Sequence, residues 1–369
     1  MKIFQVINVR WFNATAWYAL TLSQLLADAG HDVVVLTQAG TVPDGMARDM
    51  GLKTISVDLN TTNPIRFCTA TRHIIQLLRT HRPDIINCHR GDGFFLWGLL
   101  KLLGFGFKLV RTRGDQRPPR NDVFNRWLHA NVADSVVVTN RRMADFFLGK
   151  MSTPGKGLWL IHGGVNSDKF HFDPKGRERV RAEFGFTQDH TVVGLLGRFD
   201  RVKGHKETIA AVARLREQGH DSIRLFLIGF ETAMTSSQIQ KLIDDYSIGD
   251  ITHISGKRDD IAACISALDI GVVASLWSEA IARSALEIMA AGRPLVSTDV
   301  GVMPDLVSPA MLVKPKDVEG LAQTISLLIE KSELREEVLE AQKRTMSQLT
   351  LEEFLKRTLN LYHSLLDEN

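Results

Sequence analysis

The run Ile270-Gly271-Val272-Val273-Ala274, followed by Ser278-Glu279-Ala280-Ile281-Ala282-Arg283-Ser284-Ala285-Leu286-Glu287, decides how this chain folds. The first five residues form a short apolar run that reads as a buried strand. A helical pattern follows, with Ala285, Leu286, Met289 and Ala290 among its apolar positions. Glu279 therefore falls near the C-terminal end of a strand, and Glu287 about two turns farther on, in or beside the helix. Ligand sites in open α/β sheets lie at such strand-to-helix junctions. The plainer alternative is that both glutamates only cap or solubilise the helix, so the rest of the chain has to decide.

The same strand–helix alternation extends in both directions. In the first half, strands are expected at Ile3–Ile7, Asp32–Thr37, Thr54–Leu59, Asp84–Cys88, Lys108–Arg111, Ser135–Thr139 and Leu158–Ile161. Helices are expected at Trp17–Gly30 and Arg66–His81. The second half restarts the pattern with strands at Thr191–Leu196, Ile223–Ile228, Ile251–Ile254, Ile270–Ala274, Leu295–Thr298 and Met311–Val313. Short β-branched runs between helices predict mostly parallel sheets covered on both faces. The rhythm breaks near 163–190, at Gly163-Gly164 and Asp173-Pro174. Leu351–Leu366 reads as an amphipathic helix with Leu351, Phe354, Leu355, Tyr362 and Leu365 on one side and Thr358 as the polar intruder.

A length of 369 residues fits two domains. Cys68, Cys88 and Cys264 are unpaired in spacing and read as small buried hydrophobes in a reducing compartment, without a disulfide framework or a metal site. Met1-Lys2 leads directly into a strand pattern, so no signal peptide is expected. Phe94–Val110 is the nearest approach to a membrane span, and Lys101, Lys108 and Gly-Phe-Gly interrupt it. Residues 1–165 carry 20 Lys/Arg against 11 Asp and no Glu, whereas the remainder is net acidic. A basic half points to an anionic partner, such as a phosphorylated substrate, nucleic acid or anionic lipid.

Several loops could hold such a partner. Gly197-Arg198-Phe199-Asp200-Arg201-Val202-Lys203-Gly204 follows the first strand of the second half, and Arg198 and Lys203 can converge on a polyanion. The spacing is not that of a Walker A loop, and no dinucleotide-binding glycine pattern follows the first strand. Instead Asn8–Ala16 leads into a helix, with Trp11 and Trp17 as core aromatics or a wall for a ligand. His89 and Arg113 lie just past or at strand ends, where they could reach a substrate. The dense run Arg111, Arg113, Arg117 and Arg120 reads as an anion-binding surface, without the context of a specific nucleic-acid module.

Taken together, the chain resembles retaining glycosyltransferases of family 4. Its markers are Ala29-Gly30-His31-Asp32-Val33, Ile161–Asn166 with Phe170, Gly197-Arg198 with Lys203-Gly204, and Gly256-Lys257-Arg258. The strongest combines Glu279 and Glu287 with Ala290–Gly301. The resemblance implies a GT-B architecture: two facing Rossmann-like domains with mostly parallel sheets and an inter-domain cleft. It divides the chain into an acceptor-binding domain at 1–165, a nucleotide-sugar-binding domain at 166–345, and a terminal helical segment at 346–369 packing back toward the first.

It also implies roles. Arg198 and Lys203 would grip the donor diphosphate, Glu279 with the amides of Ala280, Ile281 and Ala282 would orient the sugar, and Glu287 would hold the ribose. The base would rest near Gly229-Phe230 and Lys257-Arg258. The family's first-domain histidine is replaced near Arg113, with His89 the nearest alternative, so both are candidates beside the reacting sugar. The usual Glu-Gly-Phe-Gly becomes Glu279-Ala280-Ile281-Ala282. The expected partners are a nucleoside-diphosphate sugar (uridine favoured, guanosine or adenosine as alternatives), a glycan or glycolipid acceptor, and anionic membrane reached through the basic domain. No metal or other cofactor is required. The implied setting is cytoplasmic, at the inner face of a bacterial membrane, in lipopolysaccharide or surface-polysaccharide synthesis. A sugar-nucleotide epimerase of the same architecture and a non-catalytic sugar-nucleotide-binding protein are the alternatives.

Overall fold

The computed structural model describes residues 1–91, 93–115, 117–151, 153 and 157–367. The chain forms two compact units, Met1–Gly163 with Leu351–Asn369, and Gly164–Thr350.

The first unit is built on β1 (Lys2–Ile7), β2 (Asp32–Thr37), β3 (Lys53–Ser56), β4 (Ile85–Cys88), β5 (Lys108–Arg113), β6 (Ser135–Val138) and β7 (Leu158–Leu160). They pair in the order β3-β2-β1-β4-β5-β6-β7, all parallel. The second unit repeats the plan with β8 (Thr191–Leu196), β9 (Ile223–Ile228), β10 (Thr252–Ile254), β11 (Ile270–Val273), β12 (Leu295–Thr298) and β13 (Leu312–Val313). Its order is β10-β9-β8-β11-β12-β13, again parallel. In each sheet the first strand lies centrally, and the chain moves outward on one side before returning to the other. The direction changes between β1 and β4, and between β8 and β11, and those are the switch points at which α/β sheets receive ligands.

The central strands are buried on both faces, which explains their nearly continuous apolar sequences. The outer strands β3, β7 and β10 are only half-buried. Asn13 accepts the Ala16 N–H at 3.0 Å and opens the helix Ala14–Asp28, three residues earlier than its apolar pattern predicts.

The helix Leu351–Asp367 belongs to the first unit. It buries Phe354, Thr358, Leu361, Tyr362 and Leu365, with Leu351 and Leu355 only half-buried. Thr358 tolerates burial because its hydroxyl donates to the Phe354 carbonyl at 3.0 Å. Phe354 packs on Tyr18 with ring centroids 4.5 Å apart, and the Tyr362 hydroxyl accepts from Asn87 Nδ2 at 3.0 Å.

One sequence expectation changes. Cys68 is exposed on the helix Pro64–His81, while Cys88 and Cys264 are buried. Phe94–Val110 divides into a helix, Phe94–Leu102, and the beginning of β5. Among the described residues no helix is long and apolar enough to cross a membrane.

Candidate functional site

Three loops at the C-terminal ends of β8, β11 and β12 are tied together around Glu279. After β8, Asp200 accepts the Val202 N–H at 3.0 Å and opens the short 3₁₀ turn Arg201–Lys203. Gly204 then takes φ 71°, and a Cβ there would lie 2.0 Å from the Ala274 carbonyl oxygen. Only glycine lets this loop close on the end of β11. The closure directs Lys203 across the strand ends, where its ammonium meets Glu279 Oε1 at 2.5 Å.

Ser275 Oγ donates to the same oxygen at 2.5 Å, and Thr298 Oγ1 donates to the Ser275 carbonyl at 2.6 Å. Both side-chain bonds to Glu279 go to Oε1, and neither reaches Oε2. The Glu279 backbone is held from the other side, where its carbonyl accepts the Val302 N–H at 2.8 Å. Gly301 permits that approach, since a Cβ there would stand 1.9 Å from the Glu279 carbonyl oxygen.

Glu287 sits in the second turn of the helix Arg283–Ala290 and is buried. Arg283 Nε donates to its Oε1 at 2.7 Å. Burial raises the carboxyl above its ordinary range, and the positive charges of Arg283 and Lys169 partly counter the effect. Between the two glutamates, Ala280, Ile281 and Ala282 are also buried. Ala282 adopts φ 51° and ψ 51°, a left-handed conformation in a residue that has a Cβ.

Arg198 is exposed at the end of β8 and pairs with Asp200 at 3.1 Å. Gly229 permits the neighbouring strand ends to meet, because a Cβ there would lie 2.0 Å from the Gly197 carbonyl oxygen. Lys257 is exposed. Arg258 is committed elsewhere, with Glu183 at 2.6 and 3.0 Å and Asp260 at 2.8 and 2.9 Å. These carboxylates raise its pKa further and make the Arg258 side chain an ion-pair anchor for its loop.

The first unit places the histidine candidate in its core. His89 is fully buried, with Nε2 2.7 Å from Gln5 Oε1, and burial followed by the Arg111 charge pushes its pKa down to about 3. It is a neutral core ring with no open face toward a substrate. Arg111 is also fully buried, donating to the Cys88 and Thr112 carbonyls at 2.7 and 2.6 Å. Arg113 is buried as well; it pairs with Asp115 at 3.4 Å and donates to the Arg117 carbonyl at 2.6 Å. Its two terminal nitrogens hold the following loop, while Nε is buried without a partner among the described residues. The expected surface of four arginines therefore divides, with Arg117 and Arg120 exposed and the other two internal.

Trp11 is 70% exposed and Trp17 half-buried, so neither belongs to the deep core. Asn8, at the end of β1, is buried with both side-chain polar atoms unpaired among the described residues.

Sequence reading did not single out Ser275, Arg283 or Lys169. Arg283 had a signal in its four-residue spacing from Glu287 on a helix. Ser275 is likewise local, four residues before Glu279, and of the three only Lys169 is brought in by tertiary folding. No group of three or more His, Cys, Asp or Glu among the described residues is arranged to hold a metal ion.

The family model described as "Glycosyltransferase Family 4" matches residues 15–169, and that described as "Glycosyl transferases group 1" matches 176–345. The 2-deoxystreptamine glucosyltransferase of Streptomyces kanamyceticus is 25% identical over 333 residues, covering 84% of this chain and 82% of that protein. The Alr3699/HepE protein of Anabaena, solved in complex with UDP, aligns with a TM-score of 0.86 at 17% identity, covering 99% of this chain and 100% of that one. The lipopolysaccharide outer core galactosyltransferase WaaB in apo form aligns with a TM-score of 0.76 at 14% identity, covering 99% of each chain.

Proposed function

Since the chain belongs to the GT-B glycosyltransferases of family 4 type, enzymes that act on a nucleotide sugar, we propose that it moves a hexosyl unit, with retention of configuration, to a glycan or glycolipid acceptor. The observation that carries this reading is the Lys203–Glu279–Ser275 cluster at the β8–β11 switch point, with Arg198 on the same loop as Lys203.

In this reading Arg198 and Lys203 hold the donor diphosphate and stabilise the charge that develops on it as the sugar leaves. Glu279, fixed through Oε1 and its backbone, presents Oε2 to the transferred sugar, and the Ala280–Ala282 backbone supports it. Glu287 accepts hydrogen bonds from the ribose. A retaining transfer needs either a carboxylate on the opposite sugar face or deprotonation of the acceptor on the same face by the leaving diphosphate. The second route suits a site whose glutamates serve to hold the donor.

Uridine diphosphate sugars are the first donors to test, supported by the UDP complex of HepE, with guanosine and adenosine diphosphate sugars after them. A surface-glycan or lipopolysaccharide acceptor draws support from the likeness to WaaB and from the basic first half of the chain. The proposed setting is cytoplasmic, at the inner face of the bacterial membrane, with the basic domain in peripheral contact with anionic lipid.

The deciding experiment incubates the purified protein with each nucleotide sugar, with and without lipid-linked acceptors, and identifies every product. Acceptor-dependent release of nucleoside diphosphate with the new linkage supports transfer. An altered sugar still attached to its nucleotide would indicate epimerisation, and tight binding without turnover would leave a sugar-nucleotide-binding protein.

A further inference from the structure

The helix Phe94–Leu102 is apolar on its outer as well as its inner face, with Lys101 as its one charged residue, and it lies at the surface of its unit. Phe94, Leu96, Trp97 and Leu100 face the core. Phe95, Leu99 and Leu102 recur at helical spacing on the outer face and are 49%, 41% and 58% exposed. Gly98 brings this helix against the next helical segment, because a Cβ there would stand 2.8 Å from Leu128 Cδ1 and 3.1 Å from Val132 Cγ1.

That second segment begins with the helix Val123–Trp127 and exposes Val123, Phe124 and Trp127. Phe95 lies 5.8 Å from Phe124, and Phe124 lies 6.0 Å from Trp127, between ring centroids. The outcome is one connected aromatic row, continued along the first helix by Leu99 and Leu102. Isolated exposed apolar residues are ordinary, but a contiguous aromatic and aliphatic face marks an interaction surface.

Its charge selects the occupant. Residues 95–127 hold seven Lys/Arg and only two Asp; Arg111 and Arg113 are buried and Lys101 is paired with Asp134, which leaves Lys108, Arg117, Arg120 and Arg126 as the charge nearer the surface. Arg117 and Arg120 are exposed beside the aromatic segment, and Arg126 is half-buried within it. Of the two carboxylates, Asp115 faces Arg111 and Arg113, and Asp122 is occupied by the N–H and side-chain amide of Asn125. A two-fold contact between copies would bring the same arginines face to face. An anionic lipid surface offers opposite charge at the headgroups and an apolar layer beneath them for the rings.

We propose that Phe95, Leu99, Phe124 and Trp127 form a membrane-inserting face, flanked by Arg117 and Arg120, that seats the first unit on anionic bilayer. This locates the membrane contact on one face and rests on the reading of a lipid-borne acceptor.

The test is sedimentation of the full chain with vesicles of phosphatidylethanolamine and phosphatidylglycerol, compared with phosphatidylcholine alone, at low and high salt. Wild type should bind the anionic vesicles and keep part of that binding at high salt. The double variant Phe124→Ser/Trp127→Ser should bind at least about tenfold more weakly, because the inserted apolar area is lost. Arg117→Ala/Arg120→Ala should lose mainly the salt-sensitive part. Thermal melts of all variants should match wild type, since the side chains are exposed.

Equal binding by wild type and Phe124→Ser/Trp127→Ser would overturn the assignment, as would binding abolished completely by salt. A wild-type dimer in solution that the same double substitution disperses would overturn it too, by giving the face to a second copy. Nucleotide release with a soluble acceptor, measured without vesicles, reports separately on the glycosyltransferase reading, so failure of either is recognised.

Discussion

Ala282 holds φ 51° just before the helix Arg283–Ala290, where an L-residue bears a steric cost of about 1–2 kcal/mol. Glycine removes that cost but loses more backbone entropy on folding, about 0.5–1 kcal/mol. Ala282→Gly should therefore raise the unfolding free energy by about 0.5–1 kcal/mol net. An unchanged urea midpoint would mean the strain is relieved elsewhere. Lys203 and Glu279 form a second residue-scale pair. Their side chains are 21% and 5% exposed, so Lys203→Met leaves a buried carboxylate without its cation. Stability should fall by about 3–5 kcal/mol, and donor affinity should fall with it. The double variant Lys203→Met/Glu279→Gln should recover most of the stability and none of the turnover, which separates folding from donor handling. The positions of both glutamates, Arg198 and Lys203 were legible as sequence, because local spacing places each pair at a strand-to-helix junction, one after β8 and one after β11. The bond from Ser275, only four residues before Glu279, depends on how the chain turns after β11, and the internal fate of His89 depends on burial, so neither was legible.

At the scale of elements, the helix Leu351–Asp367 is a structural part of the first unit. Phe354 is buried against Tyr18, so Phe354→Ala should cost about 3–5 kcal/mol in urea unfolding. Tyr362→Phe removes the oxygen that accepts from Asn87 Nδ2 at 3.0 Å and should cost about 1–3 kcal/mol, by leaving a buried donor underused. Denaturation midpoints equal to wild type in both variants would show the helix to be a dispensable tail. Its amphipathic pattern was readable in advance. Thr358 was readable on that face as well, and the structure adds how its hydroxyl is satisfied there, by the Phe354 carbonyl of the preceding turn. The break in Phe94–Val110 was readable too, from Lys101, Gly-Phe-Gly and the strand pattern beginning at Lys108, and β5 pairing with β4 and β6 holds the strand part in place.

For the whole molecule, buried histidines set the response to acid. Burial depresses His89 to about 3 and both His129 and His205 to about 4, from an ordinary value of 6.5. The unfolded chain takes up these protons from about pH 6.5 downward, while the folded units refuse them until about pH 4. The stability due to neutral histidine is thus complete above pH 6.5 and is lost progressively as pH falls toward 4. Asp260, held low mainly by Arg258, contributes its loss at still lower pH. Urea midpoints should be level from pH 7 to 8 and decline from 6.5 to 4.5; a flat profile across the lower range would contradict the burial of these rings. The sequence by itself determined the two parallel α/β units and the junctions that carry Glu279, Glu287, Arg198 and Lys203, because hydrophobic periodicity and glycine placement are local properties. Tertiary structure decided which charges remain available. Arg258 is bound by Glu183, Arg111 and Arg113 turn inward, and Lys203 locks onto Glu279, because burial and ion pairing depend on partners that sequence spacing does not bring together.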